Sequence, residues 1–421
     1  MSRIVITTIG SLGDLHPMLA IGLALRERGH DVVFAVVKQF SDRIQALGFE
    51  VQPIRPDQVS PDDPETIARM MDLKKGTERL LRDYIFANLR QTYADLMAIA
   101  QGADFILTGE VVYATRLVAE KLGMPWAFCA LSPSSMFSIY DPPVLPTLEG
   151  MTKFRSLPFV NRGVKNLARL ATRSWADPLH QLRREVGLPP IGNPLIDDKF
   201  SPHLVLALFS SVLAAPQIDW PPNTVVTGFT FYDGTLEGMG LAPKLQDFLA
   251  AGEPPIVFTL GSAAVFDPGD FYRYSIQAAQ QLNRRAVLLM GQNLPPDNLP
   301  ESIIAWDYAP YSKIFPHASA IVHQGGIGTT AQALRSGRPT LVMPYSHDQP
   351  DNAARLERLG TSRTIARQQY QATRAVRELH ALLENPGYAA QAVAVAQIMQ
   401  TEAGAQVACD EIEKQLQPLA S

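Results

Sequence analysis

The stretch His323-Gln-Gly-Gly-Ile-Gly-Thr-Thr330 gathers an imidazole, three glycines and two hydroxyls within eight residues. Ala320 to Val322 ahead of it read as the end of a buried strand. Ala331 to Ser336 behind it read as a helix, with Gly337 as its stop. A glycine turn at such a junction aims free N–H groups, hydroxyls and the positive end of a helix dipole at one point, and its natural guest is a phosphate. Gly325, Gly326, Gly328, Thr329 and Thr330 are therefore phosphate candidates. His323, as imidazolium or as a neutral donor, suits a pyrophosphate leaving group. Alone, a strand-end histidine more often just packs; the glycines and threonines around it favour phosphate. Gly261-Ser262 ends another strand expected in the same sheet, so Ser262 is a second phosphate donor or a plain turn residue with equal weight. Beyond the next apolar strand, Thr340 to Met343, comes His347-Asp348-Gln349. A carboxylate beside a carboxamide is suited to sugar hydroxyls, and the whole order reads as a nucleotide-sugar site.

A second set lies in Gly10-Ser-Leu-Gly13-Asp14-Leu-His16-Pro17, after the β-branched run Arg3 to Ile9. Asp14 is expected to precede a helix over Met18 to Arg28 and to face a cleft, where it can take a proton from a hydroxyl. A free aspartate, with a pKa of about 3.9, is a weak base and needs burial for that task. The same residue is also a good helix N-cap, and His16 is the rival base. The turn lacks the third glycine of a dinucleotide fingerprint, and Lys38 and Gln39 stand where the ribose acid belongs, which disfavours a nicotinamide enzyme. No Gly-Lys-Ser/Thr, Asp-x-Asp strand end, HExxH or CxxC is present, so neither a metal nor a resident cofactor is expected.

These residues need elements to hold them. The 421 residues exceed one ordinary core and favour two domains. Strands at Phe49 to Pro53, Phe105 to Thr108, Trp126 to Leu131, Leu204 to Leu208 and Thr224 to Val226 alternate with helices, one of them over Glu65 to Gly102 with a break near Gly76. A second series starts at Ile256. The alternation implies an α/β protein with two doubly wound parallel sheets. The expected division is 1–228, a linker over 229–250, a second domain over 251–400, and a C-terminal helix in 401–421 packing back on the first domain. Ligands collect at the carboxyl ends of such strands. That rule makes Gly10 to Pro17, Gly109-Glu110 and Ser132 to Tyr140 one wall of an interdomain cleft.

A net charge of −4 gives no reason to expect nucleic acid. Cys129 and Cys409 show no metal spacing and read as buried thiols of a reducing cytosol. The start MSRIVITTIG has no signal-peptide layout, and no apolar run is long enough to span a membrane. A cytoplasmic protein is expected. Met151 to Trp175 is basic and amphipathic: a surface helix beside the acceptor cleft, or a contact with an anionic membrane at its inner face. Nothing in the sequence points to an oligomeric state.

With Tyr308-Ala309-Pro310, His323 and its glycine turn, Gly337-Arg338-Pro339 and Asp348-Gln349, the chain resembles family-1 glycosyltransferases of the GT-B fold. The resemblance covers nearly the whole chain and is strongest over Tyr308 to Gln349 and Ile4 to Leu25. It implies that Tyr308 stacks on the nucleobase while the Ala309 backbone reads its edge. It assigns the diphosphate to His323, Gly328, Thr329, Thr330 and Ser262, with Gly13 of the first domain's turn, and the donor sugar to Asp348 and Gln349. Gln332 stands nearest the position of a ribose-binding glutamate. Asp14 falls where many members carry a catalytic histidine and some an aspartate, which favours Asp14 over His16 as base. Glu110 lies one residue past the place of a supporting acid.

The implied activity is inverting and metal-independent. A hexose, from UDP-glucose first and dTDP-rhamnose next, moves to a hydroxyl of a small apolar, phenolic or lipid acceptor lined by Phe86, Ser132, Met136, Phe137 and Tyr140. A nucleotide-sugar 2-epimerase of the same architecture and a non-catalytic accessory protein are the alternatives.

Overall fold

The structure is a computed structural model that describes residues 1–56, 64–145, 155–232 and 240–417. Two parallel sheets organise it. The first contains β1 (Arg3–Thr8), β2 (Asp31–Val36), β3 (Glu50–Pro53), β4 (Phe105–Thr108), β5 (Trp126–Ala130), β6 (Leu204–Ala207) and β7 (Thr224–Val226). Their order is β3-β2-β1-β4-β5-β6-β7. The second contains β8 (Ile256–Thr259), β9 (Ala286–Leu289), β10 (Ile303–Trp306), β11 (Ala320–His323), β12 (Thr340–Val342) and β13 (Ser362–Thr364), ordered β10-β9-β8-β11-β12-β13. Central strands such as Ile4-Val5-Ile6 and Val257-Phe258 are fully buried, because helices cover both faces of each sheet. Close approach of the first helix depends on Gly22, where a Cβ would lie 2.7 Å from the Phe34 ring.

Each strand order reverses once, between β1 and β4 and between β8 and β11. At such a switch point neighbouring loops diverge and leave a crevice at the strands' carboxyl ends. The first crevice is bordered by Gly10 to Asp14 and by Gly109-Glu110. The second is bordered by Gly261-Ser262 and by His323 to Gly326.

Several elements differ from their sequence reading. The first helix is Leu12–Glu27, not Met18 to Arg28, so Asp14 lies inside its first turn and Pro17 is within the helix. The helix after the phosphate turn is Ile327–Arg335 and starts a turn earlier than Ala331. The long helix expected over Glu65 to Gly102 is divided into Pro64–Met70, Gly76–Arg79, a wound segment over Leu80–Asn88 and Leu89–Ile99. The stretch read as linker up to residue 250 contains a helix, Pro243–Ala250, whose Leu245 is buried in the second domain's core. Residues 233–239 of that stretch, residues 146–150 and residues 151–154 of the basic stretch lie outside the described residues.

Two connections tie the halves together. The C-terminal helix Gly404–Leu416 buries Ala408, Cys409 and Ile412 in the first domain's core. There Arg28 Nη1 bonds Asp410 at 2.6 Å and Glu413 at 2.9 Å. The second connection is ionic and buried. Arg355, 1% exposed, donates to Asp351 on its own helix (Gln349–Arg358) at 2.7 Å and to Asp141 in the loop after β5. Asp141 also pairs with Arg155 at 3.0 Å and Arg358 at 3.1 Å. Burial pushes its carboxyl up, but Arg355 first and Arg358 next hold it below the usual range. Asp351 accepts the Val144 N–H at 2.9 Å.

Removing one partner of a buried, hydrogen-bonded pair costs about 3–5 kcal/mol, because the other charge stays buried. An exposed pair is worth about 1 kcal/mol or less. Arg355→Met is therefore expected to lower the unfolding midpoint in urea far more than Arg28→Met, at equal protein concentration. Equal shifts for the two variants would show that the buried network does not hold the domains.

Candidate active site

Ser11 caps the first helix. Its hydroxyl accepts from Gly13 N–H at 3.1 Å, and the Asp14 carboxylate accepts in return from Ser11 N–H at 2.7 Å and Ser11 Oγ at 3.2 Å. This reciprocal box satisfies the orphan amides of the helix start. Asp14 is thus the third helical residue, not the cap and not ahead of the helix. Its carboxylate folds over Gly10, whose φ is +138°; a Cβ there would sit 2.3 Å from Asp14 Oδ2. Burial raises the Asp14 pKa to about 6, with the Glu110 charge adding to the rise and the Ser11 amide opposing it. His16, one turn position on, packs edge-to-face on Tyr232 at 5.2 Å.

Glu110 accepts from Leu131 N–H at 2.7 Å and from the Ser135 hydroxyl. It fixes the turn after β5 and acts on Asp14 as a like charge.

Across the cleft, His323 is fully buried at the end of β11. Its Nδ1 accepts from Gly325 N–H at 3.0 Å, so Nε2 carries the proton, and burial lowers its pKa to about 3. Of the two forms considered from sequence, the structure holds the neutral donor. Nε2–H has no protein partner among the described residues, nor has the buried Thr330 hydroxyl. Gly326 caps the following helix without a side chain, and Gly328 and Thr329 bring further first-turn amides. Two uncommitted buried donors beside an uncapped helix start match the donor set a diphosphate requires.

Gly325, with φ +87°, is held between Val342 and the Gln349 carbonyl; a Cβ would meet them at 2.9 and 3.2 Å. Ser262 Oγ reaches Ser11 Oγ at 3.5 Å, so the second domain's turn touches the cap of the helix that carries Asp14. Tyr308 is 55% exposed and Ala309 buried, an open ring beside an anchored backbone. Gln332 is buried on the helix Ile327–Arg335.

Asp348 precedes the helix Gln349–Arg358 and accepts from Asn352 Nδ2 at 2.7 Å. Burial raises its pKa to about 7, the charges of Glu110 and Asp14 contributing and the Asn352 bond opposing. Gln349 points its carbonyl oxygen at Tyr345 N–H, at 2.8 Å, and at Ser346 N–H, at 3.3 Å, so only its NH₂ faces elsewhere. The acceptor candidates divide. Phe86 packs in the core against Tyr113 at 5.0 Å, and Met136 is 2% exposed, so neither is presented to the cleft. Ser132 is buried and shares its hydroxyl with Ser134 at 2.8 Å. Phe137 is partly exposed and Tyr140 is open to solvent.

Three contributors escaped the sequence. Asn352 bonds both Asp348 and the Gly325 carbonyl, the latter at 2.9 Å, and so joins the Asp348 carboxylate to the glycine turn. Gln324 fills the space left by Gly261 and Gly326, where a Cβ would lie 2.1 and 2.8 Å from its Nε2. Ser11 was passed over beside Asp14. The only sequence sign for Asn352 is its i+4 spacing from Asp348.

Residues 4–140 match the glycosyltransferase family 28 N-terminal domain. Residues 276–419 match the erythromycin biosynthesis protein CIII-like C-terminal domain. The chain is 32% identical over 431 residues to O-mycaminosyltylonolide 6-deoxyallosyltransferase from Streptomyces fradiae, covering 98% of this chain and 97% of that one. It is 30% identical over 373 residues to glycosyltransferase GtfE from Amycolatopsis orientalis, with 85% and 84% coverage. In fold it resembles the glycosyltransferase of kitacinnamycin, with a TM-score of 0.76, 21% identity and 99% of both chains covered. It also resembles the calicheamicin glycosyltransferase CalG4, with a TM-score of 0.71, 16% identity and 100% of both chains covered. Two doubly wound domains with a phosphate turn facing a carboxylate, together with relatives of this identity along nearly the full length, show that the chain belongs to the family-1 glycosyltransferases of the GT-B fold.

Proposed function

We propose that this glycosyltransferase moves a hexose from a nucleoside diphosphate sugar to a hydroxyl of a small apolar, phenolic or lipid acceptor, with inversion and without a metal ion. The contact between Ser11 and Ser262, 3.5 Å across the cleft, carries the reading, because it sets the base's helix cap against the diphosphate turn. In the proposed step Asp14 takes the acceptor proton as the acceptor oxygen attacks the anomeric carbon. The bond from that carbon to the diphosphate breaks on the opposite side. The electron pair leaves on the diphosphate, where His323 Nε2–H, the Thr330 hydroxyl and the helix N-terminus receive it. Asp348 and the Gln349 NH₂ hold sugar hydroxyls, and Tyr308 stacks on the base.

The relatives' names give a range of acceptors: O-mycaminosyltylonolide for the Streptomyces enzyme, the vancomycin aglycone for another, a sterol for two fungal ones. The solved glycosyltransferases VinC and SpnG hold thymidine diphosphate, which is reason to test a dTDP sugar beside UDP-glucose. Family membership leaves the epimerase and accessory-protein alternatives without support.

The test is nucleotide diphosphate release from UDP-glucose or dTDP-rhamnose with phenolic, macrolide and hydroxy-lipid acceptors, in the presence of EDTA. Acceptor-dependent release is expected, with a loss of about 10²–10⁴-fold in Asp14→Asn. Release abolished by EDTA would overturn the metal-free step, and an α-linked product from an α-linked donor would overturn inversion. Turnover that survives in Asp14→Asn would move the base to His16.

Titration offers a second check. A base with a pKa of about 6 must be ionised, so kcat/KM should climb as pH rises through that value. The sign for stability is opposite. The folded state holds the Asp14 proton more tightly than the unfolded chain, so Asp14 lowers stability progressively as pH rises from 3.8 to about 6. Asp14→Asn should therefore melt higher than wild type at pH 8 and show little gain at pH 4. An unchanged difference between the two pH values would place Asp14 in water.

Gly10→Ala probes geometry alone. Its Cβ would displace the Asp14 carboxylate, so kcat should fall by about tenfold or more while nucleotide affinity, read by calorimetry, stays at the wild-type value. Wild-type kcat in that variant would show that the close approach of Asp14 to Gly10 has no role.

A further inference from the structure

The helix Pro158–Thr172 is fastened on one side and bare on the other. Its inner side is held by Asn161, which donates to the Ile139 and Arg155 carbonyls at 2.8 and 2.9 Å. Lys165 and Arg169 share one carboxylate, Asp197, at 3.3 and 2.5 Å. The outer side carries Phe159 at 74% exposure, Leu167 at 61% and Leu170 at 69%. With Gly163 these fall at i, i+4, i+8 and i+11, so they form one stripe along the helix. Leu157, just ahead of the helix, extends the apolar surface. Beside the stripe runs a second row, Arg162, Asn166, Arg169 and Arg173, at i, i+4, i+7 and i+11. Among the described residues Arg162 and Arg173 have no ionic partner. No aspartate or glutamate occurs between Arg155 and Ala176.

We propose that this face is a membrane-docking surface for an anionic lipid bilayer: Phe159, Leu167 and Leu170 enter the headgroup boundary while Arg162 and Arg173 meet lipid phosphates. Charge complementarity selects the partner. An apolar stripe alone would fit any apolar surface, but a flanking guanidinium row without acids fits a surface of negative charge. A second copy of this helix would bring like charges together. Position adds to the case. The same helix holds the acceptor-side loop, through Asn161 to Ile139 and through Lys165, whose ammonium lies 6.0 Å from the Phe137 ring centre. A bilayer seated on the outer face would therefore lie next to the wall where the acceptor is expected. The docking surface does not depend on the identity of that acceptor.

The experiment is co-flotation of the full-length protein with vesicles of pure phosphatidylcholine, or of phosphatidylcholine with about one-third phosphatidylglycerol, at low and high salt. Wild type is expected to float with the anionic vesicles, at least about tenfold more than with neutral ones, and to be released by salt. A triple variant, Phe159→Ser, Leu167→Ser and Leu170→Ser, should stay with the soluble fraction. Arg162→Gln with Arg173→Gln should lose the preference for anionic lipid. Wild-type thermal melting would confirm that each variant is folded, since all five side chains point outward. Wild type remaining soluble with both vesicle types, or a triple variant that floats like wild type, overturns the proposal. So does a concentration-dependent dimer in gel filtration that the triple variant abolishes while vesicles capture nothing, which would assign the face to self-association.

Discussion

Of the contacts between the two domains, the most directional is made by one buried cation. Arg355 sits with almost no exposure between Asp351 on its own helix and Asp141 on the opposite domain's loop, with the Leu213 carbonyl as a further acceptor at 3.3 Å. Apolar surfaces alone permit sliding, because burial is non-directional. A guanidinium does not, because its planar donors accept only a narrow set of carboxylate positions. The helix that carries Arg355 starts at Asp348 and Gln349, and Asn352 ties it to the glycine turn. The loop that carries Asp141 continues from Ser132 to Tyr140, and Asp351 receives its Val144 amide. The Asp348 end of one helix and the loop after β5 are therefore set by one hydrogen-bonded chain of atoms. A desolvated ion pair is a weak source of stability against an apolar equivalent; here its geometry fixes a register.

Within that register three carboxylates converge. Asp14 and Asp348 are both raised, each by its own burial first and by the Glu110 charge second or later. Like charges in a partly dry cleft cannot all ionise freely. The consequence is useful for proton transfer, since a raised aspartate is a stronger base than a free one. The opposite wall has the opposite design. His323 is buried as a neutral imidazole with Nε2–H uncommitted among the described residues, so this wall offers dipoles and hydrogen-bond donors in place of a full positive charge. Fixed donors of this kind need no reorganisation when charge develops on the leaving group.

What the sequence made legible follows from what is local. The alternation of apolar strands and helices is written in contiguous residues, and both doubly wound sheets follow from it. So does the strand, glycine turn and helix order at His323, because its glycines and threonines are neighbours in the chain. Helix starts were misplaced in both crevices for one reason. Glycines at residues 13 and 328 read as turn, whereas each lies in a first helical turn beyond a cap, Ser11 in one case and Gly326 in the other. Glu110 was assigned by its distance along the chain from an expected supporting acid, but its partners lie more than twenty residues away, on Leu131 and Ser135. Phe86 and Met136 were placed in the acceptor wall by residue type, and type does not say which face of a layer an aromatic or thioether occupies. Asn352, Gln324 and Arg355 act through contacts across turns or domains, which no local pattern encodes.

The glycines at the two switch points show why such a site is rigid before any ligand arrives. Gly10 and Gly325 both take backbone angles that side chains resist, at φ +138° and +87°. In each case the space where a Cβ would stand is filled by the group that the turn serves: Asp14 over Gly10, and Val342 with the Gln349 backbone over Gly325. Gln324 does the same for Gly261, linking the two strands that flank the second crevice. The turns are thus held from outside as well as permitted from within. A loop that is merely flexible would have to be ordered by its substrate, at a cost in binding. Here the tight packing of neighbours against bare Cα atoms supplies that order before any ligand binds.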